Sequence, residues 1–354
     1  MAQLFADAGH EVTFISRRWP GLCTRETEGA ITHVRLRGFR HTRFLAVNLA
    51  LDFLWGISVT IALPTADAVI CNTVSLPIWL HFLRPSSGKV CVVMGRAPKG
   101  QLALYGGVRR IYAPSQALAE AIGASFEPSR VRVIGNPIDW SGLAGASAQG
   151  AGPVTIGFVG RLHPEKGLSL LLAAGAILAK RAGLPDWRVR VVGPHRVEEG
   201  GGGQQWFDSV KRAADLELGG RIEWVGAEFD SHRLALLYGS MDIFCYPSLA
   251  EKGETFGVAV AEAMSARCAV VVSDLACFGD LVQDGLTGMV FDHRGQGAEV
   301  RLAACLEALV KEPPRREAMA ASGQAHARRF DFSEVSRTVL DDLAFLARTG
   351  HEKP

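Results

Sequence analysis

The chain has 354 residues, with 38 Lys and Arg against 36 Asp and Glu, and a net charge of +2 at neutral pH. Apolar residues make up 48% and charged residues 21% of it, which is the composition of a globular protein. The length exceeds the size at which a single hydrophobic core keeps growing, so two domains are expected. The small net charge gives no reason to expect a nucleic-acid partner.

The seven cysteines are scattered along the chain and form no CxxC pair. Several lie in apolar, strand-like runs, so we interpret them as small buried hydrophobes in a reducing cytosol rather than as disulfides or zinc ligands. The amino-terminal residues MAQLFADAGHEV form a short amphipathic pattern without a cationic start, and no signal peptide is expected there.

One apolar stretch, Phe44 to Leu63, is long enough to span a membrane. Asn48 and Asp52 lie within it, and an Asp at the bilayer centre costs about 2.5–3.5 kcal/mol. We therefore predict a buried or surface-lying helix. The preceding segment, Arg35 to Arg43, is basic, which suits peripheral contact with an anionic membrane; a solvated loop is the alternative.

Short apolar runs alternate with helical patterns along the whole chain, which is typical of parallel α/β architecture. The predicted strands of the first half are EVTFISR, ADAVICN, GKVCVVM, RRIYAPS and RVRVIGN. Those of the second half are VTIGFVG, WRVRVVG, RIEWVG, DIFCYPS, CAVVVSD and GMVF. Between Trp140 and Pro153 the sequence is rich in Gly, Ala and Ser, which indicates an interdomain linker. A late helix is predicted over Phe332 to Ala347.

A first motif, GRLHPEKG, follows the strand VTIGFVG. Its Gly160 and Pro164 suit a turn between a strand and a helix. Arg161 and Lys166 can converge across that turn and bind a diphosphate, Arg as a fork and Lys as a point charge. A solvated basic loop is the alternative.

A second motif, PSLAEKGETFGVAVAEAM, follows the strand DIFCYPS and is expected to enter a helix near Thr255. Free amides at that helix start, Phe256 to Val258, favour an anion site. Glu254 lies just outside the predicted helix and Glu262 about two turns inside it. A carboxylate among apolar neighbours needs a partner, either sugar hydroxyls or a Lys or Arg.

In their order along the chain, these elements resemble the retaining GT-B glycosyltransferases of family 4 (glycosyl transferases group 1). The resemblance covers most of the chain and implies two Rossmann-like, doubly wound parallel-sheet domains that face a central cleft. It places an acceptor-side domain at 1–145, a nucleotide-sugar donor domain at 146–330, and a helix packing back across the domains at 331–354. The quoted elements are GHEVTFIS, IYAPSQALAEAI, VIGNPID, GRLHPEKG, VVGPH, PSLAEKGETFGVAVAEAM and DGLTG.

The resemblance also implies roles for individual residues. Arg161 and Lys166 correspond to the diphosphate-binding pair that steadies the leaving phosphate. Glu254 corresponds to the Glu near the reacting centre, and Glu262 to the one that holds the ribose diol. The amides of Phe256, Gly257 and Val258 would contact phosphate or sugar. No cofactor and no metal are expected, because cations and a helix end stand in for a metal.

Three departures from the family pattern stand out. The chain starts inside the helix that ends in GHEV, so the first domain is expected to lack its first strand. Where some relatives carry a His, this chain has Met94-Gly95-Arg96, and Arg96 and Lys99 are candidates for an anionic acceptor or are plain loop cations. The loop Ala276 to Gly279 lacks the usual paired glycines. His163 is interpreted as a local structural residue.

The sequence thus predicts a glycosyltransferase that moves a sugar from a nucleotide-diphosphate sugar to a glycan, lipid-linked or small-molecule acceptor. The expected location is cytoplasmic, with a peripheral position at the inner membrane face and a role in polysaccharide or cell-envelope assembly as family-level expectations. A catalytically impaired scaffold subunit and an epimerase or phosphorylase on the same fold remain alternatives. A nicotinamide dehydrogenase is disfavoured, since no GxGxxG follows a first strand.

Overall fold

The structure, a computed structural model, describes residues 1–40, 42, 44–146 and 152–349. His41 and Arg43 of the basic segment, residues 147–151 of the predicted linker and residues 350–354 of the predicted C-terminal helix region lie outside the described residues. The chain forms two compact units. Residues 1–135 and the last helix, which starts at Phe332, make up the first unit, and residues 136–331 make up the second.

The helices and strands follow in chain order. Up to residue 135 they are α1 (Ala2–Asp7), β1 (Val12–Arg17), β2 (Arg25–Glu28), β3 (Ile31–Leu36), α2 (Leu45–Ala62), β4 (Ala68–Cys71), α3 (Leu76–Leu83), β5 (Lys89–Val93), β6 (Val108–Ala113), α4 (Gln116–Gly123) and β7 (Val131–Val133). Beyond it they are α5 (Trp140–Ala144), β8 (Val154–Val159), α6 (Leu168–Ala179), β9 (Trp187–Val192), α7 (Gln204–Leu218), β10 (Ile222–Gly226), α8 (Ser231–Gly239), β11 (Ile243–Tyr246), α9 (Val258–Ser265), β12 (Ala269–Ser273), β13 (Gly288–Phe291), α10 (Ala298–Lys311), α11 (Pro313–Ala327) and α12 (Phe332–Thr349).

The second unit is built on a six-stranded parallel sheet with the order β10-β9-β8-β11-β12-β13. Its central strands are buried apolar runs, as expected when helices cover both faces of a parallel sheet. In chain order the pattern is 3-2-1-4-5-6, so the strand order reverses between β8 and β11. Ligands of open α/β sheets bind beyond the carboxyl ends of the strands at such a reversal.

The first unit contains two sheets. A four-stranded parallel sheet runs β4-β5-β6-β7, and a three-stranded sheet runs β1-β3-β2, with β2 antiparallel to β3. Helix α12 belongs to this unit through a buried carboxylate: Asp342 accepts hydrogen bonds from Arg110 (Nε, 2.8 Å), Arg132 (Nη1, 2.6 Å) and Tyr112 (hydroxyl, 3.0 Å). These contacts fix the helix against β6 and β7.

All eleven predicted strands are present, but the hairpin of β2 and β3 was not predicted. It turns at Gly29 (φ +56°), and β2 is fully exposed, so its sequence RETE carries no apolar period. The basic segment therefore begins inside a strand, since Arg35 belongs to β3. Part of the predicted linker is also structured: α5 forms because the Asp139 carboxylate caps the Gly142 amide (3.0 Å) and Leu143 is buried.

The apolar stretch forms helix α2, whose Asp52 is paired. The Ser75 hydroxyl donates to the Asp52 carboxylate at 2.7 Å, and Arg17 lies 3.6 Å from it. Among the residues that the structure describes, no helix combines the length and apolarity needed to cross a membrane. Of the seven cysteines, five are buried as predicted, whereas Cys23 is exposed and Cys305 half-buried.

Candidate active site

The two sequence motifs meet at the reversal point of the second unit's sheet. Gly160 follows β8, and Pro247 follows β11. A Cβ atom on Gly167, whose φ is +71°, would lie 1.8 Å from the Pro247 carbonyl oxygen, so only glycine allows this approach. The Leu249 amide donates to the Glu165 carbonyl at 2.8 Å and ties the loops together.

The first motif folds as a short 3₁₀ turn, Pro164–Lys166, before α6. Pro164 suits the first position of the turn because its missing N–H has no partner to find there. The His163 ring accepts a hydrogen bond from the Glu165 amide (3.3 Å) and caps the turn. The prediction of a local structural role for His163 is confirmed by this contact.

Lys166 is 7% exposed and points to Glu254. Its Nζ lies 2.7 Å from Glu254 Oε2, and the Tyr246 and Ser248 hydroxyls lie 3.2 and 3.4 Å from the same oxygen. Three donors converge on one carboxylate oxygen in a largely water-free place, where charge-assisted hydrogen bonds are strong. The lysine and the carboxylate are therefore held in fixed positions.

Arg161 is half-exposed and lies at the rim of these loops. Its guanidinium donates to the Gly200 carbonyl (2.8 Å) and to the Glu165 carboxylate (2.9 Å). Gly193 permits the backbone packing behind it, because a Cβ there would lie 1.8 Å from the Gly160 oxygen. The guanidinium is thus oriented by groups of the same unit.

Helix α9 begins at Val258, three residues later than the sequence predicted. The chain turns at Gly257 (φ +94°), where a Cβ would approach the Phe278 ring to 2.6 Å. The helix amides that have no intrahelical partner therefore start at Val258, and Phe256, which is buried, precedes the helix. Glu254 lies outside the helix, as predicted.

Glu262 lies one turn inside α9 rather than two. Its Oε2 accepts a hydrogen bond from the Tyr238 hydroxyl at 2.9 Å. Burial raises the pKa of the Glu262 carboxyl, and the Tyr238 hydrogen bond lowers it in part. Within the described part of the chain no Lys or Arg pairs with this carboxylate, contrary to one of the two alternatives.

Burial and the Glu254 carboxylate raise the pKa values of two neighbouring groups, the Tyr246 phenol and the Cys277 thiol. Burial, followed by the nearby Glu254 carboxylate, raises the pKa of the Tyr246 phenol, while Arg161 lowers it. Burial, with Glu254 in addition, raises the pKa of Cys277 to about 12, so this thiol stays protonated. Cys277 lies in the loop without paired glycines, which packs beside the Lys166–Glu254 pair.

The acceptor-side candidates lie in the first unit. Arg96 and Lys99 are exposed in the loop after β5, and the Lys99 amide donates to the Gln101 side chain at 2.6 Å. Among the described residues, neither side chain makes a hydrogen bond or ion pair. No group of three or more His, Cys, Asp or Glu side chains in the described ranges is arranged to hold a metal ion.

Sequence reasoning missed three side chains that contact the predicted residues. They are Tyr246 and Ser248 at Glu254, and Tyr238 at Glu262. Tyr246 and Ser248 lie inside the motif region, and their position at the carboxyl end of β11 was a usable signal. Tyr238 lies on α8, and nothing in the sequence links it to α9.

Comparison with known proteins identifies the family. Residues 146–326, just over half of the chain, match the family model described as glycosyl transferases group 1. The chain belongs to this family. The matched range contains both loops at the sheet reversal and helix α9.

Individual relatives are similar over parts of their length. The chain is 31% identical to a D-inositol 3-phosphate glycosyltransferase of Rhodococcus opacus over 52% of this chain and 39% of that protein. It is 27% identical to a phosphatidyl-myo-inositol mannosyltransferase of Mycobacterium tuberculosis over 79% of this chain and 66% of that protein. The chain thus spans less than two thirds of the length of these relatives.

Solved structures show the same fold at low sequence identity. A sucrose-phosphate synthase from Thermosynechococcus elongatus superposes with a TM-score of 0.79 at 16% identity and covers 98% of this chain and 91% of its own. An Anabaena protein solved in complex with UDP and glucose gives a TM-score of 0.67 at 19% identity over 88% of this chain and 86% of its own. The predicted GT-B fold is confirmed.

Proposed function

We propose that the chain is a glycosyltransferase that takes its sugar from a nucleoside-diphosphate sugar. The observation that carries this proposal is the Lys166–Glu254 pair (2.7 Å) at the reversal point of the sheet, with Arg161 on the same loop as Lys166 and the start of α9 four residues after Glu254. A diphosphate at this place meets two cations and free helix amides, which are the groups that bind anions most strongly.

In this proposal the two cations act on the leaving group. When the bond between the sugar and the diphosphate breaks, negative charge develops on the departing phosphate oxygen. Lys166, held by Glu254, and Arg161, held by Glu165, are oriented beforehand and stabilise that charge without reorganisation. Glu254 meets the donor sugar, Glu262 binds the ribose hydroxyls, and the amides from Phe256 to Val258 contact phosphate or sugar.

We propose transfer with retention, without a metal, as in family 4, to a glycan, lipid-linked or small-molecule acceptor near Arg96 and Lys99. The names of the relatives, which mention inositol phosphate and phosphatidyl-inositol, support an acceptor with ring hydroxyls next to a phosphate. That anionic group would give Arg96 and Lys99 a function.

We also propose a cytoplasmic site of action with peripheral contact to the inner membrane face. The exposed side chains Arg37 and Arg40 precede helix α2, whose Leu54 is 60% exposed. Cations next to exposed apolar side chains suit an anionic lipid surface. Flotation with vesicles containing anionic lipid measures this contact, and no flotation in low salt would remove it from the proposal.

The test combines nucleotide binding with turnover. A thermal-shift panel of UDP-, GDP- and ADP-sugars should show stabilisation by one donor, and the chelator EDTA should leave donor hydrolysis unchanged. In Glu254→Ala, turnover should fall about 10²–10³-fold, the usual loss when a group at the reacting centre is removed. Glu262→Ala should raise KM more than it lowers kcat, because it removes uniform binding.

Glu217→Ala is the matched control, since Glu217 is an exposed carboxylate of the same unit on α7. It should leave both parameters unchanged. If no nucleotide stabilises the protein, the proposed enzymatic function is wrong, and a role as a scaffold subunit is favoured instead. If Glu254→Ala and Glu217→Ala behave alike, the role assigned to Glu254 is wrong.

A further inference from the structure

A basic cavity lies in the first unit, and none of the residues that line it has been assigned a role above. It has a volume of about 480 Å³ and is formed by the end of α3, the loop that leads into β5 and the turn before β6. Its cationic side chains are Arg84, Lys89, Arg109 and Arg130, with His81 beside them. None of the described residues that line it is Asp or Glu.

The positive charge of this pocket is largely uncompensated. Within the described residues, neither Lys89 nor Arg109 makes an ion pair. Arg130 has one carboxylate nearby, that of Glu127 at 3.8 Å. Burial lowers the pKa of Arg130, and its cationic neighbours, Arg109 among them, add to this against the opposing effect of Glu127. Like charges gathered in one cavity repel one another, so an anion there is stabilising.

Two glycines fix the walls of the pocket. A Cβ on Gly107 would lie 2.7 Å from His81 Nδ1, and a Cβ on Gly88 would lie 2.2 Å from the Ala66 carbonyl oxygen. Gly88 also has a φ of +91°, which other residues rarely adopt. The loops therefore approach closely only because they lack side chains at these positions. Arg84 is anchored by donating to the Thr60 carbonyl at 3.2 Å.

The pocket lies at the amino-terminal ends of the strands, whereas the proposed acceptor residues follow the carboxyl end of β5. Lys89 is the first residue of β5 and Val93 its last, so Arg96 and Lys99 follow the other end of the strand. Five residues of strand span about 16 Å. A ligand in the pocket therefore does not occupy the carboxyl edge, where open α/β sheets bind their substrates.

We propose that this pocket binds a ligand with two neighbouring phosphate groups. Its four Arg and Lys side chains, set against Glu127 as the one carboxylate that pairs with them within the described ranges, leave about three positive charges. One phosphate monoester carries about −1.5 to −2 charges at neutral pH, so two of them match the pocket. The proposal concerns the first unit alone and does not depend on donor binding in the second.

Inorganic pyrophosphate is the probe for the soluble form of this chemistry. Because it would also bind the proposed donor site, calorimetry uses an Arg161→Gln, Lys166→Met background. In that background pyrophosphate should bind, and adding Lys89→Gln and Arg109→Gln should weaken binding about tenfold or more for each charge-assisted bond lost. Arg18→Gln, at an exposed arginine of the same unit, should change nothing.

Flotation with phosphatidylcholine vesicles, with and without a phosphatidylinositol bisphosphate, distinguishes a lipid headgroup from a free phosphate. Loss of pyrophosphate binding in Lys89→Gln with Arg109→Gln supports a soluble ligand. If the background protein does not bind pyrophosphate but floats with the bisphosphate vesicles, and this flotation is lost in Lys89→Gln with Arg109→Gln, the ligand is a lipid headgroup. If neither probe binds the background protein, or if Arg18→Gln weakens binding as much as the pocket substitutions, the proposal is overturned.

Discussion

The proposed donor site and the basic pocket both gather cations, but they compensate them differently. In the donor site each cation has its own carboxylate, Lys166 with Glu254 (2.7 Å) and Arg161 with Glu165 (2.9 Å). In the pocket, Lys89 and Arg109 have no ion pair among the described residues. Pairing fixes a side chain in place, whereas unpaired charge creates a potential that attracts a counter-ion.

Between these two sites, full pairing with carboxylates is found where the exact position of the cations matters for the proposed reaction. Lys166 and Arg161, which are proposed to act on the breaking bond, are oriented by Glu254 and Glu165. These carboxylates compete with the ligand's phosphate for the cations and so weaken its binding. In the basic pocket, by contrast, Arg130 is the one cation with a carboxylate partner among the described residues. Glu262 is also without an ion-pair partner among the described residues, and its carboxylate accepts a hydrogen bond from the Tyr238 hydroxyl.

The largest expected effect comes from removing compensation inside the first unit. Asp342 is 2% exposed and forms ion pairs with both Arg110 and Arg132. Asp342→Ala leaves the buried Arg110 uncompensated, which costs about 3–5 kcal/mol. Urea denaturation monitored by a probe in the first unit should show a lower midpoint. Asp341→Ala, the exposed neighbour on α12, is the control, and equal midpoints for the two variants would contradict the structural role of the Asp342 pair.

This network also shows where sequence reasoning stops. The helix of Asp342 and the strand RRIYAPS were both predicted from the sequence, but the contact between them joins residues 232 positions apart. The motifs at Arg161 and Glu254 could be predicted, because each directly follows a recognisable apolar strand and matches a family motif in its spacing. Helix α9 starts late because Gly257 adopts a positive φ, and the close approach of the Phe278 ring, 21 residues later in the chain, is a second reason for glycine there that the sequence does not show.

An intermediate effect is expected when the competing carboxylate at Arg161 is neutralised. The Arg161–Glu165 pair is half-exposed, and such pairs contribute about 0–1 kcal/mol. Glu165→Gln should therefore leave stability nearly unchanged and tighten binding of a nucleoside diphosphate up to about fivefold. Calorimetry at low and high salt measures this, and the gain should shrink at high salt because exposed charges are screened.

Glu198→Gln, at an exposed glutamate near the same loops, separates the local effect from a general change in charge. If Glu198→Gln tightens binding as much as Glu165→Gln does, the gain is not due to release of Arg161. Weaker binding in Glu165→Gln would show that this carboxylate holds the guanidinium in its productive position. In that case the Arg161–Glu165 pair would contribute more to nucleotide binding by orienting the guanidinium than it costs by competing with the phosphate.

The smallest effect concerns the carboxylate without a cation. Because burial raises the pKa of Glu262 above its ordinary 4.5, its neutral form is favoured in the fold, and the stability linked to that form is lost as pH rises through the raised pKa. Ribose hydroxyls prefer to donate to the ionised form, so nucleotide affinity should fall as pH drops through the same value. Tyr238→Phe removes the hydrogen bond that lowers this pKa, and the fall in affinity should begin at a higher pH.

Nucleotide affinity measured across the mildly acidic range, for the parent, Tyr238→Phe and Glu262→Gln, checks this prediction. Glu262→Gln cannot ionise and should lose the pH dependence altogether, whereas Tyr238→Phe should keep it and displace it upward. Coinciding profiles for the parent and Tyr238→Phe would mean that the hydroxyl does not tune Glu262. If Glu262→Gln keeps the pH dependence of the parent, another group titrates in this range, and the charge of Glu262 does not control nucleotide affinity.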